Sequence, residues 1–122
     1  MAERPFLVGI VGPCSAGKTT LAAGLERHGF KARPIVQEHS YVPSMWQRLT
    51  HPNVLIYLEV DYETAQKRRP LDWTPQEFDE QLHRLHHARQ HADLFIDTVD
   101  LSIQEVLEQA LAFLRNLTIG QS

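Results

Sequence analysis

Eight residues constrain this chain more than any others: Gly12-Pro13-Cys14-Ser15-Ala16-Gly17-Lys18-Thr19. They match the pattern G-x-x-x-x-G-K-[ST], in which a glycine-rich loop wraps a phosphate with inward-facing backbone N–H groups. Glycines permit the tight path and the close approach of anionic oxygens. The helix that follows presents its N-terminus, where the dipole favours negative charge. The flanks fit the same reading. Phe6 to Val11 is a continuous apolar run, as in a parallel strand buried on both faces, and Lys18 to His28 has Leu21, Ala22 and Leu25 at core spacing. Gly29 stands where a helix stops.

Strand and helix signals alternate along the rest of the chain. Strands are expected at Arg33 to Gln37, Val54 to Val60 and Asp93 to Asp97. Met45 to Leu49 reads as a short helix closed by His51-Pro52. Asp61 is placed to cap a helix through Arg69, stopped at Pro70. Thr74, Pro75 and Glu77 form a capping box that opens a helix to about His91. Ser102 and Glu105 form another, ahead of Ile103, Val106, Leu107, Ala110, Leu111 and Leu114 at helical spacing. The alternation predicts a single α/β domain over residues 1–122, a mostly parallel sheet of about four strands flanked by helices in three layers. Ligands of such sheets bind at the carboxyl ends of the strands, which puts Gly12, Glu38, Asp61 and Asp97 on one edge.

The net charge of −3 gives no global basic field and argues against nucleic acid as the main partner. No run approaches the roughly 20 apolar residues of a membrane span. Met1 to Arg4 are polar, and the apolar run behind them is too short for a signal peptide. Cys14 is the one cysteine, so no internal disulfide forms, and a reducing cytoplasm is the expected compartment. Homo-oligomerisation is left open.

The loop implies specific roles. Lys18 reaches the β- and γ-phosphates and Thr19 offers a hydroxyl to Mg2+; residues 12–20, from Gly12 to Thr20, line the phosphate path. Cys14 lies close to a helix N-terminus that would lower its pKa, or else is a small filler.

On these residues the chain resembles the nucleoside and nucleotide kinases of the phosphate-loop class. Phe6 to Leu25 looks like their first strand, loop and helix. Pro52 to Arg69 looks like the strand and helix leading into their lid. Ala92 to Leu114 looks like their last strand and helix, whose connecting loop touches the adenine base in that family. The resemblance implies ATP and Mg2+ as ligands and γ-phosphoryl transfer to a nucleoside, nucleotide or similar small acceptor. Lid arginines of that family clamp the phosphates, and Arg68, Arg69, Arg84 and Arg89 fall in the matching region, Arg69 and Arg84 first among them. A glutamate after the second strand takes the proton of the attacking hydroxyl, which gives Glu38 the role of base or of a Mg2+ ligand through water. Glu59 and Asp61 are its rivals on the metal side.

The family places another strand and several helices between Glu38 and Asn53, where this chain has only a short segment with His39, Tyr41, Trp46, Gln47 and Arg48. Trp46 either holds a base or sugar or closes the core. The short segment keeps a second class of function in view: a nucleotide-binding or regulatory module without an acceptor site. A regulatory GTPase is disfavoured, because N-K-x-D and D-x-x-G motifs are absent. His83, His87 and His91 stand at i, i+4, i+8 beside His86 on one expected helix, a face that could bind zinc or simply be exposed.

Overall fold

A computed structural model of the chain describes residues 6–69 and 73–120. Four parallel strands form one sheet in the order β2-β1-β3-β4, with β1 at Leu7–Val11, β2 at Lys31–Pro34, β3 at Val54–Glu59 and β4 at Leu94–Asp97. The register pairs Gly9 with Arg33 and with Leu55, and Tyr57 with Phe95. The helices are α1 (Lys18–Arg27), α2 (Met45–Thr50), α3 (Tyr62–Arg68), α4 (Pro75–Arg84), α5 (His86–His91) and α6 (Ile103–Gly120). A single 3-10 turn covers Gln37–His39.

Strand alternation divides the core in two. Val8, Ile10, Val54, Ile56 and Leu58 pack with Leu21 and Leu25 of α1 and Leu107, Leu111 and Leu114 of α6. Val11, Leu55 and Tyr57 face the other way, onto Trp46 of α2, Leu85 and Ala88. The sheet is therefore covered on both faces, and β3 is buried at every residue but its last. This is the α/β architecture expected from the alternation of strand and helix signals.

Both capping boxes form: the Thr74 and Glu77 side chains bond each other's backbone N–H groups, as do Ser102 and Glu105. Asp61 caps α3 by accepting from the Thr64 N–H at 2.7 Å. Those bonds hold the Asp61 carboxyl below its usual pKa. Pro70, read as the stop of this helix, lies outside the described residues.

Two elements differ from expectation. The second strand was expected at Arg33 to Gln37 but runs Lys31–Pro34. Pro34 has no N–H to continue the ladder, and the chain turns after one last bond from Ile35 N–H to the Ile10 carbonyl at 2.8 Å. Glu38 thus sits in the 3-10 turn beyond the strand rather than ending it. The long helix expected from Thr74 to His91 is two helices, α4 and α5. Leu85, at φ −89° and ψ −6°, shares its N–H between the carbonyls of Gln81 and Leu82. That tightened turn carries Leu85 wholly inside the second core.

Candidate nucleotide site

Because all four strands run the same way, their carboxyl ends share one edge. On it, the Gly12–Thr19 loop leaves β1, the 3-10 turn follows β2 and Thr98 follows β4. The strand order turns back at β1, whose neighbours are β2 on one side and β3 on the other, which is where such sheets open a crevice.

The loop's backbone path depends on its glycines. A side chain on Gly12 would collide with the carbonyl of Leu58 on β3. Gly17, at φ 100°, has no neighbour within 4 Å of where a Cβ would stand, so its backbone conformation alone selects glycine. Ser15 also holds a positive φ, 67°, and its Oγ is buried without a hydrogen-bond partner among the described residues. A positive φ on a residue other than glycine, as at Ser15, gathers at ligand-binding loops. The turn is closed by Ala16 N–H donating to the Pro13 carbonyl at 3.2 Å. At the start of α1 the first N–H groups have no intrahelical acceptor. Thr19 and Thr20 there are exposed.

Lys18 folds back over this loop. Its ammonium donates to the carbonyls of Gly12 at 2.8 Å and Pro13 at 3.3 Å, and pairs with Glu38 Oε2 at 2.7 Å. The second oxygen of Glu38, Oε1, is buried and has no hydrogen-bond partner among the described residues. Lys18 and Glu38, assigned to one site from sequence, do stand together. Cys14 is close by, its Sγ 3.8 Å from Glu38 Oε2 and 3.6 Å from His39 Nε2. The expected lowering of the Cys14 pKa is reversed. Burial first, then the Glu38 charge, pushes the thiol up to about 11, and the opposing pull of Lys18 is weaker.

The arginines divide. Arg68 ties the loop to the end of β4, donating to the Ser15 carbonyl at 3.2 Å, to Thr98 Oγ1 at 2.9 Å and to the Thr98 carbonyl. Arg68 and Arg69 line a cleft of about 470 Å³ that runs from Ser15–Gly17 past Thr20 and Gly24 to Thr98, Gln104 and Leu107. Arg84 lies on the other side of the loop, over the Tyr41 ring at 4.5 Å, 3.6 Å from Glu80, with a 3.4 Å bond to the Glu38 carbonyl. Arg89 is remote from the loop, paired with Glu59 at 3.7 Å and stacked over Phe95. Glu59 and Asp61, the rival carboxylates, are thus occupied by Arg89 and by helix capping.

The side of Glu38 away from the loop is filled. Gln37, fully buried, donates to the carbonyls of Val42 and Arg84 and accepts from the Trp46 N–H at 2.7 Å. Trp46 is 5% exposed and closes the second core rather than offering a face to a ligand. Its indole donates to His87 Nδ1 at 3.1 Å. His87 and His91 stack at 4.3 Å, but His83 lies across the tightened turn, in a groove with Tyr41 and Pro43. The three histidines do not converge. Among the described residues, the one trio of metal-ligating side chains with converging donor atoms is Cys14, Glu38 and His39.

Sequence reasoning missed Gln81, whose buried Oε1 accepts from the Cys14 N–H at 3.1 Å and fixes the loop against α4. A signal was present: Gln81 lies three residues after Phe78 and four before Leu85, on the apolar stripe of its helix. Thr98, Gln104 and Arg27, which also lines the cleft, were missed too, and nothing in their local sequence marks them.

Comparison with models of known protein families and with curated protein sequences finds no match to this chain.

Proposed function

We propose that this protein binds a nucleoside triphosphate with Mg2+ in the Gly12–Thr19 loop and transfers the γ-phosphate to a small acceptor. One observation carries the reading: the ammonium of Lys18 sits at the head of a glycine-built loop, held by two loop carbonyls and Glu38. A polyphosphate offers that ammonium stronger partners than the carbonyls do. The same loop continues into the 470 Å³ cleft beside α1, whose volume and mixed lining suit a nucleoside. ATP is the proposed donor.

Mg2+ fits the donor set, because the exposed Thr19 hydroxyl and the carboxylate of Glu38 are hard oxygen ligands. When bound it would neutralise charge on the β- and γ-oxygens. The chain's own residues would do the rest. Lys18, on moving to the phosphates, releases Glu38 Oε2 to accept the proton of an acceptor hydroxyl. Arg69 would face the phosphates from the cleft side and Arg84 from the acceptor side. Arg68 serves by holding the loop to Thr98.

A second reading is favoured by a specific observation. Glu38 is 3% exposed, and Gln37, Arg84 and Trp46 fill the space where an acceptor would lie. That arrangement suits a nucleotide-binding module without transfer. Calorimetry with Mg2+ and ATP or GTP tests the common core; no heat of association with either nucleotide ends both readings. Labelled ATP offered to an array of nucleosides, nucleotides and small alcohols separates them. Transfer to any acceptor supports the kinase, and binding with no transfer leaves the module.

A further inference from the structure

We propose that Cys14, Glu38 and His39 form a site for a divalent transition-metal ion of the zinc type at the mouth of the loop. The site needs no nucleotide, and it stands whether or not the chain transfers phosphate.

Three different donors converge there. Cys14 Sγ is 3.6 Å from His39 Nε2 and 3.8 Å from Glu38 Oε2, and all three ligand atoms lie within 4.8 Å of one another. A tetrahedral ion with a sulfur ligand at about 2.3 Å and nitrogen or oxygen ligands at about 2.0–2.1 Å holds S and N or O about 3.5 Å apart. The two sulfur edges of the trio are close to that length already. A small rotation of His39, which is exposed, closes the remaining edge.

The supporting structure suits a ligand set. Glu38 and His39 are consecutive on one tight turn. The Cys14 backbone is pinned by Gln81, and the His39 ring meets Trp73 edge-on at 5.6 Å. Glu38 is 3% exposed; Oε2, the oxygen beside Cys14 Sγ, also pairs with Lys18, and the buried Oε1 has no hydrogen-bond partner among the described residues, so the carboxylate keeps unused acceptor capacity. A thiolate with an imidazole selects zinc-like ions over Mg2+ or Ca2+, which take oxygen. Three protein ligands leave a fourth position for water or a phosphate oxygen, the pattern of an open zinc site rather than a closed structural one.

The test is a Co2+ titration of the untagged chain, without nucleotide, in a buffer free of thiols. The expected result is one Co2+ per chain, with a thiolate-to-cobalt charge-transfer band and the intense visible bands of tetrahedral coordination, both removed by Zn2+. Cys14→Ser is expected to abolish the charge-transfer band, and His39→Ala to weaken binding at least tenfold. His87→Ala leaves the titration unchanged. His39 is exposed and serine is close to cysteine in size, so both variants retain the fold. Absence of the thiolate band, a titration unchanged by both variants, or binding lost only in His87→Ala overturns the proposal.

Discussion

Lys18 Nζ and Glu38 Oε2 stand 2.7 Å apart with side chains only 11% and 4% exposed, so the cation proposed to grip phosphate is held by a buried carboxylate. Removing one member of such a pair leaves the other charge uncompensated, at a cost of about 3–5 kcal/mol. Lys18→Met therefore strands Glu38 and is expected to destabilise the fold by about that amount. Glu38→Gln costs less, because Lys18 keeps the Gly12 and Pro13 carbonyls. Nucleotide affinity should move in opposite directions. Lys18→Met loses a charge-assisted bond of about 1.5–3 kcal/mol, roughly tenfold or more in Kd. Without Mg2+, which Glu38 would help to hold, Glu38→Gln removes the competing anion and tightens ATP several-fold, while any transfer rate falls. Urea unfolding and calorimetry read the two effects separately; equal affinity in both variants would show that the pair has no part in binding.

The loop's two glycines should fail differently. Gly12→Ala drives a methyl into the Leu58 carbonyl on the neighbouring strand, a backbone group that cannot rotate away. Overpacking of this kind costs about 1–3 kcal/mol and occasionally more, and the φ of 157° at Gly12 adds backbone strain to it. Gly17→Ala meets open space and is penalised only by its left-handed conformation, about 1–2 kcal/mol. Chemical denaturation of both variants gives the comparison. Equal losses would mean that the contact with Leu58 is irrelevant to the loop.

How much was legible follows from how local each signal is. The turn between β1 and α1, the α1 helix, the Asp61 cap and both capping boxes are local patterns, and each of these elements formed where it was read, while phosphate binding by the turn is a proposal. The end of β2 was misplaced because Ile35 and Val36 look like strand, whereas Pro34 ends the pairing and leaves Val36 60% exposed. The break at Leu85 was invisible for a related reason: Leu85 fits a continuous helix equally well, and only the second core, where it is fully buried, selects the tightened turn. At the site, Lys18 came from the motif and Glu38 from its place after a strand. Their pairing, the hold of Gln81 on Cys14 and the burial that raises the Cys14 thiol all depend on α4 and the 3-10 turn closing over the loop. No spacing along the chain encodes that closure.

The histidines of α4 and α5 test the tightened turn. Trp46 is nearly buried, and its indole N–H has His87 Nδ1 as acceptor. His87→Ala leaves that donor unsatisfied and is expected to cost about 1–3 kcal/mol. It should also shift Trp46 fluorescence. His91→Ala removes a ring stacked on His87 at 4.3 Å and tilted against Trp46 at 6.0 Å, with a bond to the His87 carbonyl, so about 1 kcal/mol is expected. His83→Ala should be close to neutral, because His83 lies on the far side of Leu85 and outside this cluster. A large loss for His83→Ala would mean that the three residues act as one face after all.

Stability should fall on the alkaline side, and the sign follows from two groups. Burial raises the Cys14 thiol from 9.0 to about 11 and the Tyr57 hydroxyl from 10.0 to about 12. For Cys14 the Glu38 charge adds to the burial; for Tyr57 the Glu59 charge does. Each group is an acid that stays neutral longer in the folded chain than in the unfolded one. Between its two pKa values the unfolded state has lost a proton that the folded state keeps, so stability declines as pH rises. The decline begins near pH 9 with Cys14 and extends towards 12 with Tyr57, and neither group contributes to it at neutral pH. Cys14→Ser should flatten the early part of a Tm-against-pH curve and Tyr57→Phe the late part. The same rise predicts slow alkylation of Cys14 at neutral pH, since the thiolate is the nucleophile. Its rate should climb through pH 9–11, and Mg2+–ATP should slow it further by covering the loop. Rapid alkylation at pH 7, or a Tm curve that both variants leave unchanged, would show that burial at the loop mouth does not set the ionisation of its cysteine.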